Sequence, residues 1–412
     1  MENKQFIAQV DGYGYDGEGV CRVDGKVVFV PYVLYGEKIL GEIKDNRSSF
    51  GRGKLIEIKE KSKERDIPPC PYFGKCGGCT YQHTNYQNEL EIKKELLVNQ
   101  LKKVGFSSNI DVNSSPKEYG YRNKIRLFVS ENGLALKERA SSNLCKVEKC
   151  LLVSDEINKA MEIINSFITK QKLFKVYKEV VIRQEGLNLI INFITSVKNT
   201  KVNYQGLYLR LGADCGIFET FKGECQHKLG LKVLESEEFG LKCSFKPDTF
   251  HQVNRFLTDN LYKKAIENLK GKVIVNCYSG AGVLSGAVAI SGKRVIGIEL
   301  GESEHKDAEQ LKDDNSLFYL TNLHGDCAKV LPNINEKIDS VIVDPPRSGM
   351  DKKVIETLNN LSFKRLVYIS CNSATLVRDL QYLKNFKILS VTLFDMFART
   401  GEYEVLVVLE KS

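Results

Sequence analysis

No apolar run in the 412 residues approaches the roughly 18 that a membrane-crossing helix requires, which excludes a transmembrane segment. The chain opens MENKQFIAQV, with charges where an export signal needs its apolar stretch, so a cytoplasmic protein is expected. Without export, the twelve cysteines do not read as a disulfide framework, because the cytosol keeps thiols reduced. Some should act as ligands or nucleophiles and the others as small buried apolar residues. Two further absences narrow the chemistry. The cysteines do not form the paired C-x2-C knuckles common in zinc fingers. The glycine-rich turn at residues 279–282 lacks the third glycine of a dinucleotide fingerprint.

The composition that remains is globular: 42% hydrophobic residues against 27% charged, over a length suited to two or three domains rather than one core. The formal charge of +8 is compatible with a polyanionic partner. Residues 44–65 hold eight Lys/Arg against four Asp/Glu, and residues 117–149 again hold eight against four. In the second stretch Tyr119 and Tyr121 stand beside Arg122, Lys124 and Arg126. Cations interleaved with aromatics suit the phosphates and unstacked bases of single-stranded RNA. Either stretch alone serves equally well as a solvated charged face.

Three regions follow one another. Residues 1–60 are strand-like and rich in turns: residues 27–30 and 39–43 are short β runs, and Asp24-Gly25 is a hairpin signal. They predict a small barrel of the OB type, a common nucleic-acid platform, or a plain β-rich packing domain. Residues 61–240 begin with a charged linker and Pro/Gly punctuation. They continue into a helical pattern containing Leu90, Leu97 and Leu101, then alternate strands with helical pieces and show no catalytic motif. In residues 241–412 the runs KVIVNCYSGAG, RVIGIEL, SVIVDPPRSG and RLVYISCNS are Val/Ile-rich and end in polar residues or glycine. With helical stretches between them they predict an α/β, doubly wound parallel sheet. Ligands of such sheets sit at the carboxyl ends of the strands.

Cys70, Cys76 and Cys79 have C-x5-C-x2-C spacing among Pro71, Gly74, Gly77 and Gly78. Three soft ligands on a pliant loop suit zinc or an iron–sulfur cluster, and either wants a fourth, for which Cys145 and Cys150 are candidates. The absent paired knuckles favour iron–sulfur. At the other end, Gly280 and Gly282 let the backbone approach a ligand at a helix start, and Glu299 ends the next strand, where a carboxylate can take both ribose hydroxyls. S-adenosylmethionine, with no pyrophosphate to cradle, fits this better than a dinucleotide. Asp344 in DPPRSG is held at a strand end by two prolines and can accept from the ring nitrogen or amine of a base. Cys371 ends another strand. Alone it would more often be a core thiol, but beside a carboxylate such as Glu404 it suggests covalent catalysis.

With these residues in place, the sequence resembles the RNA (uracil-5-)-methyltransferases over almost its whole length. The resemblance rests on CPYFGKCGGC, YRNKIR, FHQVN (residues 250–254), DPPRSG, SCN and the closing Glu404, all in family order. It implies a TRAM barrel at residues 1–60, a central α+β iron–sulfur domain at 61–240 and a Rossmann-like methyltransferase domain at 241–412. Cys70, Cys76, Cys79 and Cys150 would hold a 4Fe–4S cluster, leaving Cys145 spare. Cys371 would add to carbon-6 of uracil and Glu404 would remove the carbon-5 proton. Asp344 would hold the uracil edge and line the cofactor site, Gln252 would lie between base and cofactor, and Tyr278, Gly280, Glu299 and Asp326 would hold S-adenosylmethionine. The expected partner is RNA, 23S ribosomal RNA first and transfer RNA second, acted on by a monomer. Asn276 stands where the family has Asp, Ser279 where it has Cys, and Ser373 where it has Pro. Arg399 and Glu402 replace two tail histidines. A catalytically weak paralogue serving as an RNA-binding or assembly factor is the competing expectation.

Overall fold

The structure, a computed structural model, describes residues 4–412; Met1, Glu2 and Asn3 of the opening stretch lie outside the described residues. The chain groups into two compact units, one of Met1–Ser108, Lys137–Cys145 and Phe397–Tyr403, the other of Asn109–Leu136, Lys146–Met396 and Glu404–Ser412.

In the first unit β1 (Gln5–Tyr13), β2 (Gly19–Val23), β3 (Lys26–Val30), β4 (Lys38–Asn46) and β5 (Phe50–Glu60) close a barrel in the order β1-β2-β3-β5-β4. Asp24 and Gly25 both take positive φ, which is what a two-residue turn between twisted antiparallel strands requires. Alternating residues, among them Val10, Cys21, Val28, Val30 and Ile39, fill the barrel. Helix α1 (Tyr86–Leu101) starts on an Asn85 cap and buries Leu90, Leu97 and Leu101, as their spacing predicts. It also buries two charges. Glu89 and Lys93 are fully enclosed and pair at 2.7 Å. Arg399 joins them: its N–H donates to Glu89 Oε1 (2.7 Å), and its Nη1 donates to Thr84 O (2.8 Å). The tail residue in the place of a histidine is thus a structural member of a buried ion network, held at a left-handed φ of 68°.

The second unit begins with β6 (Asp111–Asn113), β7 (Lys124–Ser130) and β8 (Gly133–Lys137); the excursion into the first unit takes most of β9 (Leu144–Lys146). After α2 (Asp155–Lys170) come β10 (Tyr177–Glu185), β11 (Asn188–Thr195), α3 (Gln205–Leu211), β12 (Cys215–Phe221) and β13 (Glu224–Gly230). They form a mostly antiparallel sheet running β13-β12-β11-β10-β7-β8. A separate hairpin, β14 (Leu234–Glu238) and β15 (Leu241–Phe245), precedes α4 (Arg255–Glu267).

The remaining elements alternate: β16 (Val273–Cys277), α5 (Val283–Ile290), β17 (Arg294–Glu299), α6 (Glu302–Asp314), β18 (Leu320–His324), α7 (Cys327–Val330), β19 (Ser340–Val343), α8 (Lys352–Asn360), β20 (Arg365–Ser370) and α9 (Ser373–Tyr382). The antiparallel pair β21 (Phe386–Phe394) and β22 (Glu404–Lys411) ends the sheet, whose order is β18-β17-β16-β19-β20-β22-β21-β6. Every residue of β19 and β20 is buried, so their Val/Ile/Leu runs are continuous rather than alternating. The order reverses between β16 and β19, the point at which an open α/β sheet leaves a crevice for ligands. No helix among the described residues is long and apolar enough to cross a membrane.

Candidate active site

Backbone pairing brings the reactive residues together. β20 and β22 are antiparallel with Ser370 opposite Val405. Cys371 directly follows Ser370 and Glu404 directly precedes Val405, so both stand at the paired ends of β20 and β22, and the charge of Glu404 acts on the Cys371 thiol. Glu404 is buried and also faces Phe394 of β21. On the other side of β20, β19 runs out into Asp344, whose N–H donates to Cys277 O at 3.4 Å.

The loop after Asp344 is rigid for identifiable reasons. Pro345 and Pro346 stop the ladder, and Gly349 N–H closes a turn on Pro346 O (2.8 Å). Met350 N–H donates to the fully buried Asp379 (2.8 Å), which also accepts from the Tyr368 hydroxyl (2.7 Å) and pairs with Arg378 (2.6 Å). Asn372 ties this loop to the one that carries Cys371. Its Nδ2 donates to Arg347 O (3.1 Å), while its Oδ1 caps α9 by accepting from the N–H groups of Ala374 (3.0 Å) and Thr375 (3.4 Å). Ser373 is therefore the first residue of α9, a position that proline favours because its N–H has no partner within the helix. The Pro-to-Ser departure leaves the helix start intact.

Cys371 is half-buried. Burial, then the charges of Glu404 and Asp344, push its thiol up to about 12, with Arg347 pulling the other way. It therefore rests as S–H and becomes a nucleophile only when a neighbouring base takes the proton. Burial holds the Asp344 carboxyl up to about 7, so that it changes charge near neutral pH. Tyr262 on α4 was not singled out by its sequence, since it lies in a helical stretch without a motif. Burial, followed by the charges of Asp344, Glu238 and Glu404, raises its phenol well above the usual range. Its ring stacks on Phe239 at 5.5 Å. Gln252 is buried just ahead of α4, its carbonyl accepting from Asn123 Nδ2 (3.3 Å).

The residues expected to hold a cofactor lie at the ends of β16, β17 and β18. Tyr278 and Gly280 both take left-handed φ, 61° and 55°, and a Cβ built at Gly280 would meet no atom within 4 Å. The backbone there faces open space at the start of α5, where a ligand can approach it. Glu299 is fixed by two backbone donors: Gly280 N–H reaches Oε2 (2.8 Å) and Gly301 N–H reaches Oε1 (2.7 Å). Each oxygen keeps a lone pair for a hydroxyl. Asp326 caps α7 through Ala328 N–H (2.9 Å). Asn276, the Asp-to-Asn departure, donates to Ser285 Oγ (2.8 Å) and pins β16 to α5. These residues suit S-adenosylmethionine: a glycine cradle for its amino-acid end and a fixed carboxylate for its ribose.

In the first unit Cys70, Cys76 and Cys79 are half-buried on one loop. Gly78 N–H donates to Cys76 Sγ (3.4 Å), the kind of contact that stabilises a thiolate ligand. Cys145 is fully buried in the same unit, whereas Cys150 is half-buried and belongs to the second, its carbonyl and N–H both bonded to Asn158. Among the described residues no three His, Cys, Asp or Glu side chains are placed to hold a metal ion. The donor chemistry suits a cluster; the side-chain placement does not form one.

A family model described as tRNA (Uracil-5-)-methyltransferase matches residues 332–412, the stretch that carries Asp344, Cys371 and Glu404. The chain is 30% identical to the 23S rRNA (uracil(1939)-C(5))-methyltransferase RlmD of Francisella tularensis subsp. novicida, with 98% of this chain and 97% of that protein covered. It is also 30% identical to an uncharacterized RNA methyltransferase, TTE1797, of Caldanaerobacter subterraneus subsp. tengcongensis, covering 98% of both. Its fold is similar to that of the Pyrococcus abyssi tRNA (uracil-54, C5)-methyltransferase solved with S-adenosyl-L-homocysteine. The TM-score is 0.82 at 24% identity, covering 98% of this chain and all of the other.

Proposed function

The chain belongs to the RNA (uracil-5-)-methyltransferase family, and from that premise we propose that it methylates carbon-5 of a uridine in RNA by way of a thiol adduct on Cys371, with 23S ribosomal RNA as its substrate. The observation that supports this reading is the pairing of β20 with β22, whose ends carry Cys371 and the buried Glu404 at the carboxyl edge of the parallel strands. S-adenosylmethionine, when bound, supplies an electrophilic methyl group. Tyr278, Gly280, Glu299 and Asp326 would hold it, and Gln252 would separate it from the base.

Uracil carbon-5 is a weak nucleophile in the intact ring. Cys371 loses its proton to solvent water, and the sulfur forms a bond to carbon-6; the electron pair of the carbon-5/carbon-6 double bond moves toward the carbonyl and makes carbon-5 enolate-like, while Asp344 and Glu404 stay ionised. Asp344, as carboxylate, accepts from the ring N3–H and orients the base. After carbon-5 is methylated, Glu404 removes its remaining proton, the double bond re-forms, and the carbon–sulfur bond breaks to return Cys371. The uridine has to leave its stack to reach this pocket. The barrel is the platform proposed to hold the surrounding RNA, and the protein acts as a monomer in the cytoplasm.

Transfer of labelled methyl to unmodified 23S transcript tests the reading. Wild type should label uridine at carbon-5 and Cys371→Ala should not. A wild type that labels neither ribosomal nor transfer RNA would leave the RNA-binding paralogue in its place. Cys70, Cys76, Cys79 and Cys150 are proposed as ligands of a 4Fe–4S cluster, on the family pattern and the thiol chemistry. Protein purified without oxygen should then be brown and carry about four irons per chain, with Cys76→Ser colourless. One zinc per colourless wild-type chain would overturn the cluster.

A further inference from the structure

The cationic stretch around residues 117–126 has a use that the reaction above does not call on. Within the second unit, a cavity of about 360 Å³ is lined by Lys117, Arg122, Asn123, Glu156, Arg255 and Phe256, among others. Three cations face one carboxylate there, although Arg255 also pairs with Glu185 at 3.2 Å. Phe256 organises two of them: Lys117 Nζ stands 4.5 Å from its ring centre and the Arg255 guanidinium 5.3 Å. The third, Arg122, has its Nε buried with no hydrogen-bond partner, a donor that the fold itself leaves unsatisfied. Helix α4 begins at Arg255 without a side-chain cap, because Asn254 instead directs its amide to Ser115 Oγ (2.9 Å) and Met396 O (3.2 Å). An uncapped helix start among cations favours an anion.

The cavity adjoins the reaction site through its own wall. Asn123 N–H donates to Val253 O (3.1 Å), and its side chain donates to Gln252 O (3.3 Å). We propose that this cavity is a subsite for the nucleotide next to the target uridine, with its phosphodiester held by Lys117, Arg122 and Arg255. A volume near the lower end of ordinary ligand pockets suits one nucleotide and excludes a duplex. Recognition of this kind is electrostatic and carries no sequence preference by itself. The proposal rests on the reading of the chain as an RNA uridine methyltransferase and adds where the flanking strand is held.

Lys117 and Arg255 are exposed, so Lys117→Gln and the double variant Lys117→Gln/Arg255→Gln should fold normally. The full-length variants are compared with wild type in two assays across 50–300 mM salt: binding of a fluorescein-labelled 23S rRNA fragment, and methyl transfer to the unlabelled fragment. Lys117→Gln should weaken RNA binding roughly three- to tenfold. It should leave kcat and the KM for S-adenosylmethionine within about twofold and lower the salt slope of binding by about one; the double variant should lower it by about two. A purely structural role would not move that slope. Unchanged affinity, or weaker affinity at an unchanged slope, overturns the subsite. Failure of the wild type to transfer methyl overturns the functional reading instead, and the binding assay still decides the subsite.

Discussion

At neutral pH, Cys371 should react with iodoacetamide far more slowly than an ordinary thiol. Burial, then the charges of Glu404 and Asp344, push its pKa from an ordinary 9.0 up to about 12. At pH 7.5 this lowers the thiolate fraction about 1000-fold. A more basic thiolate is intrinsically more reactive, with a Brønsted slope of about 0.5, which recovers half the gap on a logarithmic scale. The net slowdown is about 30-fold. Part of it comes from Glu404. One charge about 5 Å from a thiolate, at an effective dielectric of ~20, would be worth at most about 3 kcal/mol, or about two pKa units, which bounds the contribution of Glu404. Glu404→Gln should therefore speed alkylation of Cys371 by about three- to tenfold while leaving the exposed Cys225 unchanged. The assay is a labelling time course on RNA-free protein, with the Cys371 and Cys225 peptides quantified by mass spectrometry against a short cysteine peptide. Labelling of wild-type Cys371 as fast as the reference peptide, or no change in Glu404→Gln, would refute the electrostatic account of the site.

The same variant, given RNA and S-adenosylmethionine, should accumulate protein joined to RNA through Cys371, visible as a slow band on a denaturing gel; its absence would assign proton removal to another group. For Asp344, kcat/KM should rise with pH up to about 7 and then level as its carboxylate forms, and Asp344→Asn should lose that inflection and about a hundredfold of rate. The fold favours the neutral acid, so its stabilising contribution is complete below 3.8 and is lost as pH rises toward about 7; Asp344→Asn should raise the melting temperature at pH 8 and not at pH 3.5. Arg399→Ala removes one cation from a buried network in which Lys93 still pairs with Glu89, so its cost should be at the low end for such losses, about 3 kcal/mol, and lower the melting temperature by about 3–4 °C for a chain of this length.

The parallel sheet was legible because both its faces are covered, which makes each strand a Val/Ile/Leu run that stops abruptly at a polar residue or glycine. For the same reason Gly280, Glu299, Asp344 and Cys371 could be picked out one strand end at a time. What could not be read depends on partners distant in sequence. The three-residue β6 has no pattern of its own and exists because Thr392, Leu393 and Phe394 pair with it. Phe397–Tyr403 groups with the amino-terminal unit through Glu89 and Thr84, a placement that local sequence does not encode. Ser373 and Asn276 read as departures from a motif; a helix start and a bond to Ser285 account for both once the backbone is in view. Tyr262 had no signal, because it lies in a helical stretch without a motif and the carboxylates whose charge acts on it are distant in sequence.

Glu299 has one more consequence. Its two oxygens are each held by a backbone N–H, so the carboxylate cannot turn toward water when a ligand fails to meet it. With the ribose as its partner, a cofactor analogue missing one hydroxyl would leave a fixed acceptor facing nothing. Discrimination against such deoxy analogues should then come from that unmet acceptor rather than from any steric clash, and should be far larger than the loss of one surface hydrogen bond.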